Sequence, residues 1–152
     1  MQNSFTYFLL LLTFPAFSQF SPRIILALDL GSAYEAKAAD LDGDGDQDVV
    51  AGFENALVWY ENLDGQGSLS ETKVLNDNPW NYVSIQLVDL DKDGDTDVLT
   101  ASATNQNFSW YRNEGGGIFS ARINIFTANN AAFTVFAVDL DLDGDLDILT
   151  GH

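Results

Sequence analysis

The stretch Asp89-Leu90-Asp91-Lys92-Asp93-Gly94-Asp95-Thr96-Asp97 puts five aspartates into nine residues, with glycine at the sixth place. Two further stretches align with it without a gap: DLDGDGDQD over Asp40–Asp48 and DLDLDGDLD over Asp139–Asp147. Carboxylates this dense repel. At an effective dielectric of about 20, a like-charged pair ~5 Å apart costs about 3 kcal/mol. Such a loop stands either fully solvated or neutralised by a cation. The spacing D-x-D-x-D-G-x-x-D favours the cation. Places 1, 3 and 5 turn carboxylates toward a common centre, and the glycine at place 6 allows a sharp turn. Place 7 offers a backbone carbonyl, and place 9 closes the cage with a last carboxylate. Hard oxygen ligands of flexible geometry predict Ca2+ rather than Mg2+. Zinc or copper would ask for nitrogen or sulfur, and the chain holds no cysteine and a single histidine, His152.

By place, the first site is Asp40, Asp42, Asp44 and Asp48, with the carbonyl of Asp46 and the turn at Gly45. The second is Asp89, Asp91, Asp93 and Asp97, with the carbonyl of Asp95 and the turn at Gly94. The third is Asp139, Asp141, Asp143 and Asp147, with the carbonyl of Asp145 and the turn at Gly144. One Ca2+ per loop is expected, and the place-7 side chains Asp46, Asp95 and Asp145 are expected to face solvent. An EF-hand shares the first half of this pattern but needs a bidentate Glu at place 12 and flanking helices. Place 12 here is Ala51, Thr100 and Thr150, each inside a strand-like run. The nonapeptide calcium β-roll has a far shorter period.

Outward from the loops, a period near fifty persists. Trp59-Tyr60-Glu61-Asn62 answers Trp110-Tyr111-Arg112-Asn113. Gly65-Gln66-Gly67-Ser68-Leu69 answers Gly115-Gly116-Gly117-Ile118-Phe119. In the second unit, strand signals run over 84–88, 98–102, 108–113 and 122–127, separated by Asp/Gly, polar and glycine turns. Four antiparallel strands per ~50 residues is the size of a propeller blade. The fold class expected is therefore all-β: β-propeller blades of four antiparallel strands. Trp59, Tyr60, Trp110 and Tyr111 sit mid-strand and are expected to form core between blades. Arg23-Ile24-Ile25 falls one period before Lys73-Val74-Leu75 and reads as an orphan outermost strand. With it the chain amounts to about two and a half blades, where a ring needs at least four. The expectation is an incomplete propeller from a truncated sequence, the alternative being closure by oligomerisation.

The Asp loop between short strands, the aromatic strand and the Gly-x-Gly-x-Phe turn together resemble FG-GAP/VCBS repeats, the blade units of integrin alpha-like β-propellers. The resemblance covers about residues 23–152, with Leu69 standing where the pattern prefers Phe. It implies a ring commonly of seven blades and one calcium per motif-bearing blade. It also implies roles in adhesion or beside polysaccharide-degrading modules.

Composition narrows the function classes. The 152 residues carry 23 acidic and 6 basic side chains, net −17, which opposes nucleic-acid binding and docking on anionic membranes. Without cysteine, and with its one histidine at the last position, the chain offers no thiol catalysis, no Ser-His-Asp triad and no HExxH. Residues 1–18 hold no charged side chain, run apolar through Leu9–Leu12, and end Ala16-Phe17-Ser18. This reads as a secretory signal peptide preceding a propeller domain at 19–152, against a short anchor or buried strand. Secretion or surface display, in a bacterium, is the expectation, with no membrane insertion after cleavage. The function expected is a non-catalytic calcium-binding module for binding or adhesion. The alternative is the propeller part of a calcium-dependent polysaccharide-degrading enzyme. A carbohydrate or protein ligand would meet the face opposite the Asp loops, at Trp80, Tyr82, Asn105, Gln106 and Asn107.

Overall fold

A computed structural model describes residues 30–152; the expected leader and the strand at 23–25 lie outside the described residues. The first sheet is β1 (Ala33–Ala39), β2 (Asp48–Phe53), β3 (Leu57–Tyr60) and β4 (Lys73–Asn76), ordered as in sequence and antiparallel throughout. The second repeats it with β5 (Tyr82–Val88), β6 (Asp97–Ser102), β7 (Asn107–Tyr111) and β8 (Ile123–Thr127). A third begins with the antiparallel pair β9 (Thr134–Val138) and β10 (Asp147–Gly151). Among the described residues there is no helix. The architecture is the all-β one expected, two four-stranded blades and the opening of a third.

The strands are rich in Val, Ile, Trp and Tyr, which suit a pleated surface. Unlike a half-solvated sheet, an inner blade is covered on both faces, so alternation gives way to continuous burial: all four residues of β3 and all six of β6 are buried. Burial fades at the rim of the array: every residue of β8 is exposed, as are five of the seven in β1. Between the first two blades, Leu41, Val50, Leu57 and Trp59 pack against Tyr82, Ile85, Val98 and Tyr111. Leu99, Ala101 and Phe108 meet Val135 and Ala137 of the third. Each large side chain buried there contributes about 1.5–3 kcal/mol, so stability resides in the contacts between blades. Trp59 and Tyr111 are core between blades as expected, Tyr60 is buried in a cluster within the first blade, and Trp110 is half-buried against the cluster between the second and third.

The first strands of successive blades lie side by side and are tied by side chains. The Ile85 N–H of β5 donates to Glu35 on β1. The Val135 N–H of β9 donates to Ser84 on β5 at 3.4 Å. Glu35 and Ser84 hold the same place in the repeat, five residues before the loop. Gln86 adds a two-pronged clasp, accepting from Ala137 N–H at 2.7 Å and donating to its carbonyl at 3.2 Å.

Candidate metal centre

Each Asp loop joins the first two strands of its blade and folds back by accepting its own backbone N–H groups. Place 1 anchors the turn: Asp40, Asp89 and Asp139 each accept the N–H of the place-6 glycine at 3.0 Å. Those glycines have φ of +96°, +100° and +97°, a region closed to other side chains, so the glycine at this place is obligatory. Asp44, Asp93 and Asp143 at place 5 accept the N–H two residues on, the short turn that aspartate favours.

Carboxylate oxygens converge in all three loops. In the first, those of Asp40, Asp42 and Asp48 lie within 4.8 Å of one another; in the second, those of Asp89, Asp91 and Asp97; in the third, those of Asp139, Asp141 and Asp143. The expected place-5 ligands Asp44 and Asp93 fall outside the first two triads, and Asp147 outside the third. Asp139 Oδ1 is buried without a hydrogen-bond partner, as is Asp46 Oδ1. A donor set made wholly of carboxylate oxygen, with an orphaned buried oxygen in the third loop, fits a hard divalent cation.

Place 9 has a second occupation that residue type alone did not reveal. Asp48 and Asp97 are fully buried. Asp97 accepts the Leu90 N–H at 3.0 Å and the Asn113 N–H at 2.7 Å, and Asp48 accepts those of Leu41 and Asn62, each at 2.9 Å. The carboxylate therefore pins its own loop to the end of the third strand. Asn62 and Asn113 are the residues that sequence reasoning passed over, although the repeated Trp-Tyr-x-Asn was their signal. Burial pushes the Asp97 carboxyl up, against the pull of these two hydrogen bonds. Asp42 is also raised, by desolvation first and then by Asp48 and Asp44. Asp46 is raised by desolvation and by Asp44 and Asp48.

Place 7 departs from expectation in two loops. Asp46 is half-buried against Gly65 and Asp95 against Gly115, because the glycine turn of each blade folds onto its Asp loop. Only Asp145 is exposed, and it pairs with Lys92 of the neighbouring loop at 2.6 Å. That pairing lowers the Asp145 carboxyl and raises the Lys92 amine.

The opposite face also needs correction. Tyr82 and Asn107 are buried, so neither offers a contact surface. Trp80 is half-buried beneath the Arg122 guanidinium, 4.7 Å from its ring centroid, and packs on the core between the first two blades. Asn105 and Gln106 remain exposed. The pattern of residues did not distinguish these cases because both faces of a blade are covered.

The family model of the FG-GAP-like repeat matches residues 40–100 and again 89–150, each match running from one Asp loop to the strand after the next. The chain belongs to the FG-GAP-like repeat family. No curated protein matches it.

Proposed function

We propose that this FG-GAP-like chain is an exported, non-catalytic binding module whose Asp loops each hold one Ca2+. The observation that carries the reading is the convergence of three carboxylate oxygens within 4.8 Å in every one of the three loops, with places 1 and 3 common to all. Calcium accepts six to eight oxygens and tolerates irregular geometry, which suits carboxylates already turned partly toward backbone N–H groups. Bound Ca2+ would cancel the mutual repulsion within each loop and fix the end of each blade. Glu35, Glu61 and Glu114 are engaged with Lys37, Lys73 and Arg112, which favours a non-catalytic role over the polysaccharide-degrading alternative. The exposed Asn105 and Gln106, on the face away from the loops, suit hydrogen bonding to a sugar or protein ligand.

Calorimetric melting in millimolar Ca2+ and in chelator tests the metal reading. With extracellular-type affinities of ~10⁻⁴–10⁻³ M, ten Kd of calcium stabilises by about 1.4 kcal/mol per site. A rise in melting temperature that grows with calcium concentration is expected. Superimposable melts would refute it.

A further inference from the structure

We propose that Asn113 is a positioning residue that couples cation binding in the first loop to cation binding in the second. The inference rests on the reading of the Asp loops as calcium cages.

Asn113 lies two residues past the third strand of the second blade and is fully buried. Its backbone N–H donates to Asp97 Oδ1 at 2.7 Å, at place 9 of the second loop. Its carboxamide donates to the Thr96 carbonyl of that same loop at 3.1 Å. The same nitrogen donates across the blade boundary to the Leu41 carbonyl at 2.7 Å. Leu41 stands between Asp40 and Asp42, two members of the first triad. Asn113 Oδ1 accepts the Gly115 N–H at 3.1 Å, which fixes the amide plane. The turn that follows completes the contact: a Cβ on Gly117 would stand 3.4 Å from Asp42 Cβ. One buried amide therefore bridges the ligand-bearing backbone of two loops in different blades.

Asn62 supplies the comparison. It holds the same place in the first blade, donates to Asp48 and to the Gln47 carbonyl, and accepts from Gly67. It thus repeats the ties within the blade and, among the described residues, makes no bond across blades. The added bond at Asn113 is the part that can transmit. Ordering Asp40 and Asp42 around a cation fixes the Leu41 peptide, and with it the amide that sets Thr96 and Asp97. The second loop then has less freedom left to lose when it binds.

The place-6 glycine amides allow each loop to be read separately, since each donates to its own place-1 carboxylate. Calcium is titrated into the ¹⁵N-labelled full chain while the Gly45, Gly94 and Gly144 amides are followed by NMR. Asp42→Asn weakens the first loop at a half-buried member of its triad. In that variant the Gly94 midpoint should move to higher calcium by about fivefold, the lower end of ordinary coupling. Repeating the comparison in an Asn113→Ala background should abolish the shift. A Gly94 midpoint unmoved by Asp42→Asn overturns the coupling while leaving the cages standing. A shift that survives in the Asn113→Ala background assigns it to long-range charge and also overturns it. Should Asn113→Ala not fold, Asn113→Ser, which shortens the reach to Leu41, takes its place. If no glycine responds to millimolar calcium, the cage reading falls and the coupling with it.

Discussion

Replacing Asp97 and Asp93 by alanine, one at a time, separates two roles that the same residue type plays in the second loop. Asp97 is fully buried and accepts two backbone N–H groups, at 3.0 and 2.7 Å. Asp97→Ala orphans both donors, at about 1–3 kcal/mol each. Relief of the buried charge returns part of this, leaving a net loss of about 3 kcal/mol, a large share of the stability of an ordinary domain. Asp93 is exposed and accepts one N–H, from Asp95 at 3.0 Å, which water can replace. Asp93→Ala should change stability by no more than about 0.5 kcal/mol without calcium. Urea unfolding followed by tryptophan fluorescence in chelator reads the difference. With a slope of about 2 kcal/mol/M, Asp97→Ala should lower the midpoint by about 1.5 M and Asp93→Ala should leave it in place. Equal midpoints for the two variants would refute the assignment of place 9 as a structural pin.

Acidity should act in opposite directions with and without metal. Asp97, Asp42 and Asp46 have carboxyls raised in the folded chain, so the fold binds their protons more tightly than the unfolded chain does. Their contribution is present below the ordinary carboxylate value of about 4 and is lost as pH rises through the folded values. Metal-free protein should therefore melt higher near pH 4 than at pH 7. In calcium, proton competition should reverse the order; the same order in both buffers would contradict the reading. Gly117→Ala tests the contact between blades. The residue has φ of +70°, and an added Cβ would stand 2.6 Å from Trp59 Cη2. A loss of about 2–3 kcal/mol is expected from strain and overpacking, and an unchanged urea midpoint would count against it.

The blades were legible because the period repeats both the turn chemistry and the aromatic strand. The expected strand at 98–102 differs from β6 by one residue at its start. The glycine at place 6 was legible for the same reason, since its geometry admits nothing else. Place 9 was read as a ligand, but its pinning of two N–H groups was hidden, because an aspartate that binds metal and one that binds backbone are the same letter. The burial of Tyr82 and Asn107 was hidden because a polar residue between two covered faces carries no periodic signal. The Asn113 bond to Leu41 joins residues 72 apart and becomes visible only when two blades are set beside each other.

The ties between β1, β5 and β9 bear on how such chains grow. Glu35 and Ser84 perform the same task on a main-chain N–H, a target that every residue but proline presents. The join asks only for an acceptor of suitable reach, and Thr134 already stands at the same place in the third unit. A freshly duplicated gene segment would arrive with its fastening intact, free to drift in sequence without waiting for a matching change in its neighbour.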